Sequence, residues 1–255
     1  MEEKLKSEIR RSGNNLHLQV AEILEKARWK VEISSYYFDE SAEKPREIDI
    51  IASKEVVLIS EHEGTVIGRF NIFLFVECKY FNSEIAFWKQ PVNPKWIMPA
   101  IKLYGLNKEE IFKKGEHHYY IGSVGKLYEP SKDRDIFDAL TQPIKSLTYF
   151  LESSPRNGLY YPIVVYDGIP GVYALDTKKE LDDAELLNNL IVDMNYSYRS
   201  LVGSRNLMHE RFFIDFCNKE DLGKLLDRID REKQRICSFI STSKKVPEYI
   251  LREVI

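Results

Sequence analysis

The chain has 255 residues, with 37 Lys and Arg against 40 Asp and Glu, a formal net charge of −3 and a pI near 6.0. That length can build one sizeable core or two small ones, and the charge balance gives no overall attraction for phosphate, so contact with nucleic acid has to come from local charge. The longest apolar run, Phe70 to Val76 around one Asn, is too short for a bilayer, which takes about 20 residues, and Cys78, Cys217 and Cys237 lack the spacing of a zinc site or a disulfide framework, so a cytoplasmic protein without a membrane partner is expected.

Residues 1–12, rich in Glu and Lys at the start, are expected to form a solvated helical extension. Ser12-Gly13-Asn14-Asn15 then reads as a helix start, and Leu16, Val20, Ile23, Leu24 and Ala27 recur at helical spacing, which predicts about three turns with one buried stripe. Strands follow from Lys30 to Phe38, around Asp49 and up to Lys79. Residues 81–135 read as an aromatic, basic insertion. From Asp135 to Leu151 the helical pattern returns through Ile136, Leu140, Ile144 and Leu147, with Pro143 expected to bend the helix or mark its start. Asp167-Gly168 reads as the turn between strands at 163–166 and 171–175. The strongest candidate boundary is the loop at 181–188. In the segment 205–255, Phe212 to Phe216 and Lys219 to Arg235 predict a strand and an amphipathic helix added to the sheet. No Gly/Ser/Pro-rich linker or repeat divides the chain, so a single domain over 1–255 is expected.

The candidate chemistry lies in two of these strands. Asp49 sits in the apolar run Glu47-Ile48-Asp49-Ile50-Ile51-Ala52, and Glu77-Cys78-Lys79 ends the run Phe73-Leu74-Phe75-Val76. Side chains alternate along a strand, so Glu77 and Lys79 share a face while Cys78 points away. Acids on neighbouring strands with a lysine beside them can converge on one Mg²⁺ or Mn²⁺, with the ammonium placed for a developing phosphorane. A second acid-x-Lys, Asp176-Thr177-Lys178 with Asp167 upstream, is a decoy because its surroundings read as turns. The alternative for the first set is a salt bridge at a solvated strand end.

The pattern resembles the PD-(D/E)XK nuclease superfamily, the fold of many restriction endonucleases, junction resolvases and repair and mobile-element enzymes. The resemblance implies a restriction endonuclease-like α/β fold: a mixed central sheet flanked by helices, with core order helix, three strands, helix, strand and an insertion after the third core strand. It assigns the metal to Asp49, Glu77 and the carbonyl of Cys78, and a catalytic part to Lys79. The family's proline does not precede Asp49 directly; Pro45 lies four residues upstream. Relatives often carry a Glu or Gln on the first helix facing the metal. Counting back from Trp29 points to His17 as a further catalytic residue, with a helix-border histidine as the alternative and Gln19 and Glu47 as outside candidates, whereas Glu22 faces away.

The insertion carries nine Lys and Arg against six Asp and Glu from Ala86 to Asp135, interleaved with Phe87, Trp88, Trp96, Tyr104, Phe112, Tyr119, Tyr120 and Tyr128. Trp88 and Lys89 are candidates for nucleic-acid binding by stacking and phosphate neutralisation, against the alternative that the aromatics pack on the core. His117-His118 is assigned no role, because adjacent side chains diverge in a helix or a strand. The expected function is Mg²⁺-dependent phosphodiester hydrolysis, Mn²⁺ substituting, by an endonuclease acting on DNA; RNA as substrate and a homodimer stay open. The alternative is an inactive nucleic-acid-binding or assembly subunit of the same fold.

Overall fold

A computed structural model describes residues 3–10, 13–40, 42–61, 64–112, 117–120, 123–127, 134–200 and 206–242. In chain order the elements are α1 (Glu3–Arg10), α2 (Gly13–Lys26), β1 (Lys30–Asp39), β2 (Lys44–Ile59), β3 (Val66–Tyr80), β4 (Ala86–Pro91), α3 (Pro94–Ala100), β5 (Lys102–Tyr104), the one-turn α4 (Lys108–Ile111), β6 (Ser123–Leu127), α5 (Arg134–Ser153), β7 (Gly158–Asp167), β8 (Val172–Asp176), β9 (Glu185–Leu187), β10 (Asn189–Arg199), β11 (Leu207–Asn218) and α6 (Leu222–Thr242). Ser12 and Tyr128 lie outside the described residues.

The strands form one mixed sheet in the order β1-β2-β3-β7-β11-β10-β6-β4-β8-β9, with β5 also on β7. The fold is thus α/β, with helices on both faces. On one face Leu16, Val20 and Leu24 of α2 and Leu225, Ile229 and Ile236 of α6 join Ile50, Leu74, Val76 and Ile163 in a single core. On the other, Ile136, Leu140, Ile144 and Leu147 of α5 cover Phe73, Phe75, Val164 and Ile214. The stripe predicted for the first helix is therefore its buried face. That helix ends in a Schellman turn, in which Trp29 N–H reaches the Leu24 carbonyl (3.0 Å) and Arg28 takes a φ of 64°.

Several expectations are corrected. The insertion after β3 contributes strands to the sheet, since β4 and β6 pair with each other and connect it from β10 to β8. The turn at Gly168 exists, with a φ of 92°, but the strands it links are not neighbours. Five steps of about 4.8 Å separate β7 from β8 in a flat sheet, roughly 24 Å, whereas the chain from Asp167 to Val172 spans at most about 18 Å. The sheet must therefore curl, and it does so around the α5-side core: Phe87 of β4 meets Phe216 of β11 edge-on at 5.4 Å although two strands lie between them. α5 runs unbroken across Pro143. The region 181–188 holds a 3₁₀ turn and β9 and precedes two strands rather than one, β10 being the strand not anticipated.

α6 is fastened by charge as well as by apolar contact. Glu232 occupies its buried stripe and accepts from the backbone N–H of His118 and from the Tyr161 hydroxyl; His118 Nδ1 lies 2.7 Å from Glu232 Oε1, and its Nε2 lies 2.9 Å from Asp215 Oδ1. Burial alone would neutralise His118, but Asp215 and Glu232 raise it to about 10. Burial raises the Glu232 carboxyl too, and the two imidazoles and the Tyr161 hydroxyl outweigh it, holding it at about 2. Glu232→Ala is expected to lower unfolding stability in urea by about 3–5 kcal/mol, because it leaves three buried donors, His118 Nδ1, the His118 amide and the Tyr161 hydroxyl, without their acceptor while His118 keeps only Asp215; a loss below 1 kcal/mol would show that the clamp does not fasten α6.

Candidate active site

β2 and β3 pair from Ile59 opposite Val66 as far as Ile50 opposite Val76, and no further. Beyond that point β2 continues against β1, from Ile48 opposite Ser35 to Lys44 opposite Asp39, while β3 continues against β7, from Glu77 opposite Val164 to Tyr80 opposite Asp167. The two strands part, and the first residues past the fork are Asp49 and Glu77. Asp49 is missed by the other ladder as well. The β1–β2 register passes from Ile33–Ile50 to Ser35–Ile48 without a shift, and the one pair it skips is Ser34 with Asp49, Ser34 taking a left-handed φ of 58° on a non-glycine residue.

The side chains fill the fork. Cys78 N–H, which has no β2 carbonyl to meet, donates to Asp49 Oδ2 at 2.7 Å. His17 Nδ1, from α2, lies 3.7 Å from the other oxygen, Oδ1. Lys79 Nζ is 3.7 Å from Asp135 Oδ1 in the first turn of α5. The structure therefore brings together Asp49, Glu77, Lys79 and His17, and adds Asp135 and Asp138. Asp138 acts on Glu77 electrostatically, as does the exposed Glu47. Glu22 faces outward and pairs with Lys26, and Gln19 accepts from Lys219, so neither joins the acids.

Electrostatics separate this cluster from an ordinary strand end. Burial first, then Asp49, Asp138 and Glu47, push the Glu77 carboxyl up to about 9 against the pull of Lys79. Asp49 is also raised, by burial, with the Cys78 amide and His17 opposing. A surface salt bridge lowers the pKa of its acid; here two acids share one desolvated place with too little positive charge around them. Comparisons of the chain with family models, curated proteins and solved structures give no match.

The other candidates stand elsewhere. Asp176 Oδ1 accepts from Lys178 N–H within a turn, and Asp167 takes Lys219 Nζ at 2.7 Å, so the second acid-x-Lys is a local turn device. Trp88 and Lys89 stand on β4, five places from β3 in the sheet order; Trp88 is half-buried and Lys89 is ion-paired with Glu185 at 2.7 Å. Phe87, Phe112 and Tyr119 are core residues. The two histidines do converge, contrary to the expectation that neighbours diverge: their rings stack at 4.8 Å, and His117 Nε2 lies 3.4 Å from Glu232. They do not make a metal site. Tyr119 N–H points at His117 Nδ1 (3.2 Å), which places the ring proton on Nε2, toward Glu232, and both nitrogens of His118 face carboxylates. An acid on the apolar stripe of α6 was the sequence signal for this clamp, and Asp135 and Asp138, three apart at the start of α5, were the signal for the missed acids.

The strain in the fork is measurable. Because Glu77 has a folded-state pKa near 9 against an ordinary 4.5, folding takes up a proton between those values, and the parent loses stability as pH rises through that window. Glu77→Gln carries no such penalty. In chelator the variant should be more stable than the parent by on the order of 2–4 kcal/mol at pH 7.5, the gap closing toward pH 4.5. Mn²⁺ should raise the parent's melting temperature and leave the variant's nearly unchanged. A gap that does not vary with pH would mean that Glu77 is not held protonated.

Proposed function

We propose that the protein is a divalent-metal-dependent nuclease of the PD-(D/E)XK kind, hydrolysing phosphodiester bonds in DNA as an endonuclease. The observation that carries this reading is the fork of β2 and β3, which sets Asp49 and Glu77 side by side with Lys79 on the strand face of Glu77. The element order supports it: α2, β1, β2, β3, α5 and β7 give helix, three strands, helix, strand, with β3 antiparallel to β2 and parallel to β7.

The donor set fits a hard cation. Two carboxylates, with the Cys78 carbonyl as a further oxygen, suit Mg²⁺ or Mn²⁺, and a carboxyl held near 9 by burial first and then by neighbouring acids marks a place short of positive charge. When bound, the cation supplies Lewis-acid polarisation of phosphate and acidification of water. Asp49 is fixed by the Cys78 amide on one oxygen and steadied by His17 on the other, so it meets a ligand already oriented. Lys79 is loosely paired with the largely exposed Asp135, a contact worth little. Its ammonium can therefore turn to a phosphate and offset the charge that builds on the oxygens during attack.

Lys79→Met should keep Mn²⁺ binding by calorimetry while cleavage of plasmid and linear DNA falls by about two orders of magnitude or more. Asp49→Ala and Glu77→Ala should lose the metal site, and the Lys79→Met, Asp49→Ala double variant should be little worse than Asp49→Ala, since groups acting as a unit are non-additive. His17→Ala should slow cleavage more than Glu22→Ala. Equal cleavage by the parent in chelator and in Mg²⁺, or full activity of Lys79→Met, would overturn the assignment.

A further inference from the structure

At the opposite end of the sheet from the fork lies a cleft of about 440 Å³, between β5, α4 and the start of β11. β5 pairs with β7 at Gly158 to Tyr160, whereas Glu77 stands opposite Val164. The cleft is therefore roughly 16 Å from the acids along the strand. Its walls are Ile101, Leu103, Leu151 and Pro99, with Lys102, Lys108 and Glu210 among its polar groups.

The charges do not balance within it. Glu210 is the carboxylate between the two lysines, and its donors are already in place: Lys102 Nζ on Oε2 and the Tyr198 hydroxyl on Oε1 at 2.8 Å. Lys108 is left with the Ile101 carbonyl at 3.2 Å. Burial lowers its pKa, and the repulsion of Lys102 lowers it further, outweighing the attraction of Glu109 and Glu210. Lys102 is fixed, its Nζ also lying 4.2 Å over the Phe212 ring, and Arg211 at the same wall is paired with Asp193 at 2.8 Å. Lys108 is thus a half-buried cation with one carbonyl for a partner, in the repulsive field of Lys102. A bound anion is the simplest group to relieve it.

The rim adds an aromatic surface. Tyr104 is half exposed beside Gly105, whose φ of 79° and approach to Asn157, where a Cβ would lie 2.0 Å from Oδ1, tie the turn that presents it. A ring on the rim, apolar walls and a lysine head match a ligand with a flat body and one anionic end. We infer that this cleft binds a phosphomonoester of mononucleotide size, with its phosphate on Lys108 and its ring against Tyr104. The site is separate from the fork and does not depend on the nuclease reading.

The test uses the full chain in excess chelator, with adenosine 5′-monophosphate, inorganic phosphate and adenosine as probes in calorimetry and thermal unfolding. The monophosphate should bind with saturation and raise the melting temperature, with phosphate weaker and adenosine weakest. Lys108→Met should weaken both the monophosphate and phosphate by about ten- to a hundredfold, the loss of a charge-assisted hydrogen bond, and Lys108→Arg should restore most of it. Tyr104→Ala, an exposed change that spares folding, should weaken the monophosphate and leave phosphate unchanged. Asp49→Ala should bind all three like the parent, which separates this cleft from the fork. No saturable binding of the monophosphate below about 10 mM, or unchanged binding in Lys108→Met or Tyr104→Ala, would overturn the assignment; stronger binding of adenosine than of the monophosphate would do so too.

Discussion

Two antiparallel strands that stop pairing in mid-course leave backbone donors and acceptors without partners, and a buried fork of this kind is unstable unless something fills it. Past Ile50 and Val76 the filling is a side chain: Asp49 accepts the Cys78 amide that a β2 carbonyl would otherwise have taken. The carboxylate at the centre of the site is thus also the residue that closes the ladder. The left-handed turn of the backbone at Ser34 on the β1 side releases the same residue from its other neighbour, so Asp49 is oriented by one amide and one histidine rather than by two rows of strand hydrogen bonds.

Two charge clusters of the molecule use similar residue types to opposite ends. Around Glu232 and Asp215 the acids are met by a charged His118 placed between them, by a tyrosine hydroxyl and by a backbone amide. The result is a fully partnered network that fastens a helix. Around Asp49 and Glu77 the partners are a histidine at 3.7 Å and a lysine turned toward Asp135 at 3.7 Å, and both acids are raised rather than lowered. A cluster that nature has finished reads as structure. One that is left short of positive charge reads as a place kept for a ligand.

Much of this was legible because it is local. The stripe Leu16, Val20, Leu24 names its own helix, and alternation alone puts Glu77 and Lys79 on one face of a strand. What could not be read depends on which strand lies beside which. The outer half of β10 alternates Asn195 and Ser197 with tyrosines, a pattern that looks like loop until Arg211 and His209 are seen opposite it. Residues 81–135 read as an insertion without strands of its own assigned, because nothing in them says that β6 will be received by β10. Asp135 and Asp138 join the site only because α5 docks across the end of β3. His117 and His118 converge because the chain enters a 3₁₀ turn there, a geometry that neither helix nor strand alternation describes.

The sheet order also bears on how the chain reaches its native state. β7 and β6 are interior strands whose missing neighbours are β11 and β10, and those two come as a single hairpin late in the chain. Without that hairpin the remaining strands divide into two half-sheets, ending at β7, which β5 covers only from Gly158 to Tyr160, and at β6, and such open edges are prone to pair with other chains. Closure therefore rests on contacts of long sequence separation, which are slow to form. The β10–β11 hairpin acts as a keystone: it joins the half that carries the acids to the half that curls around α5, β11 taking the edge of β7 and β10 the edge of β6.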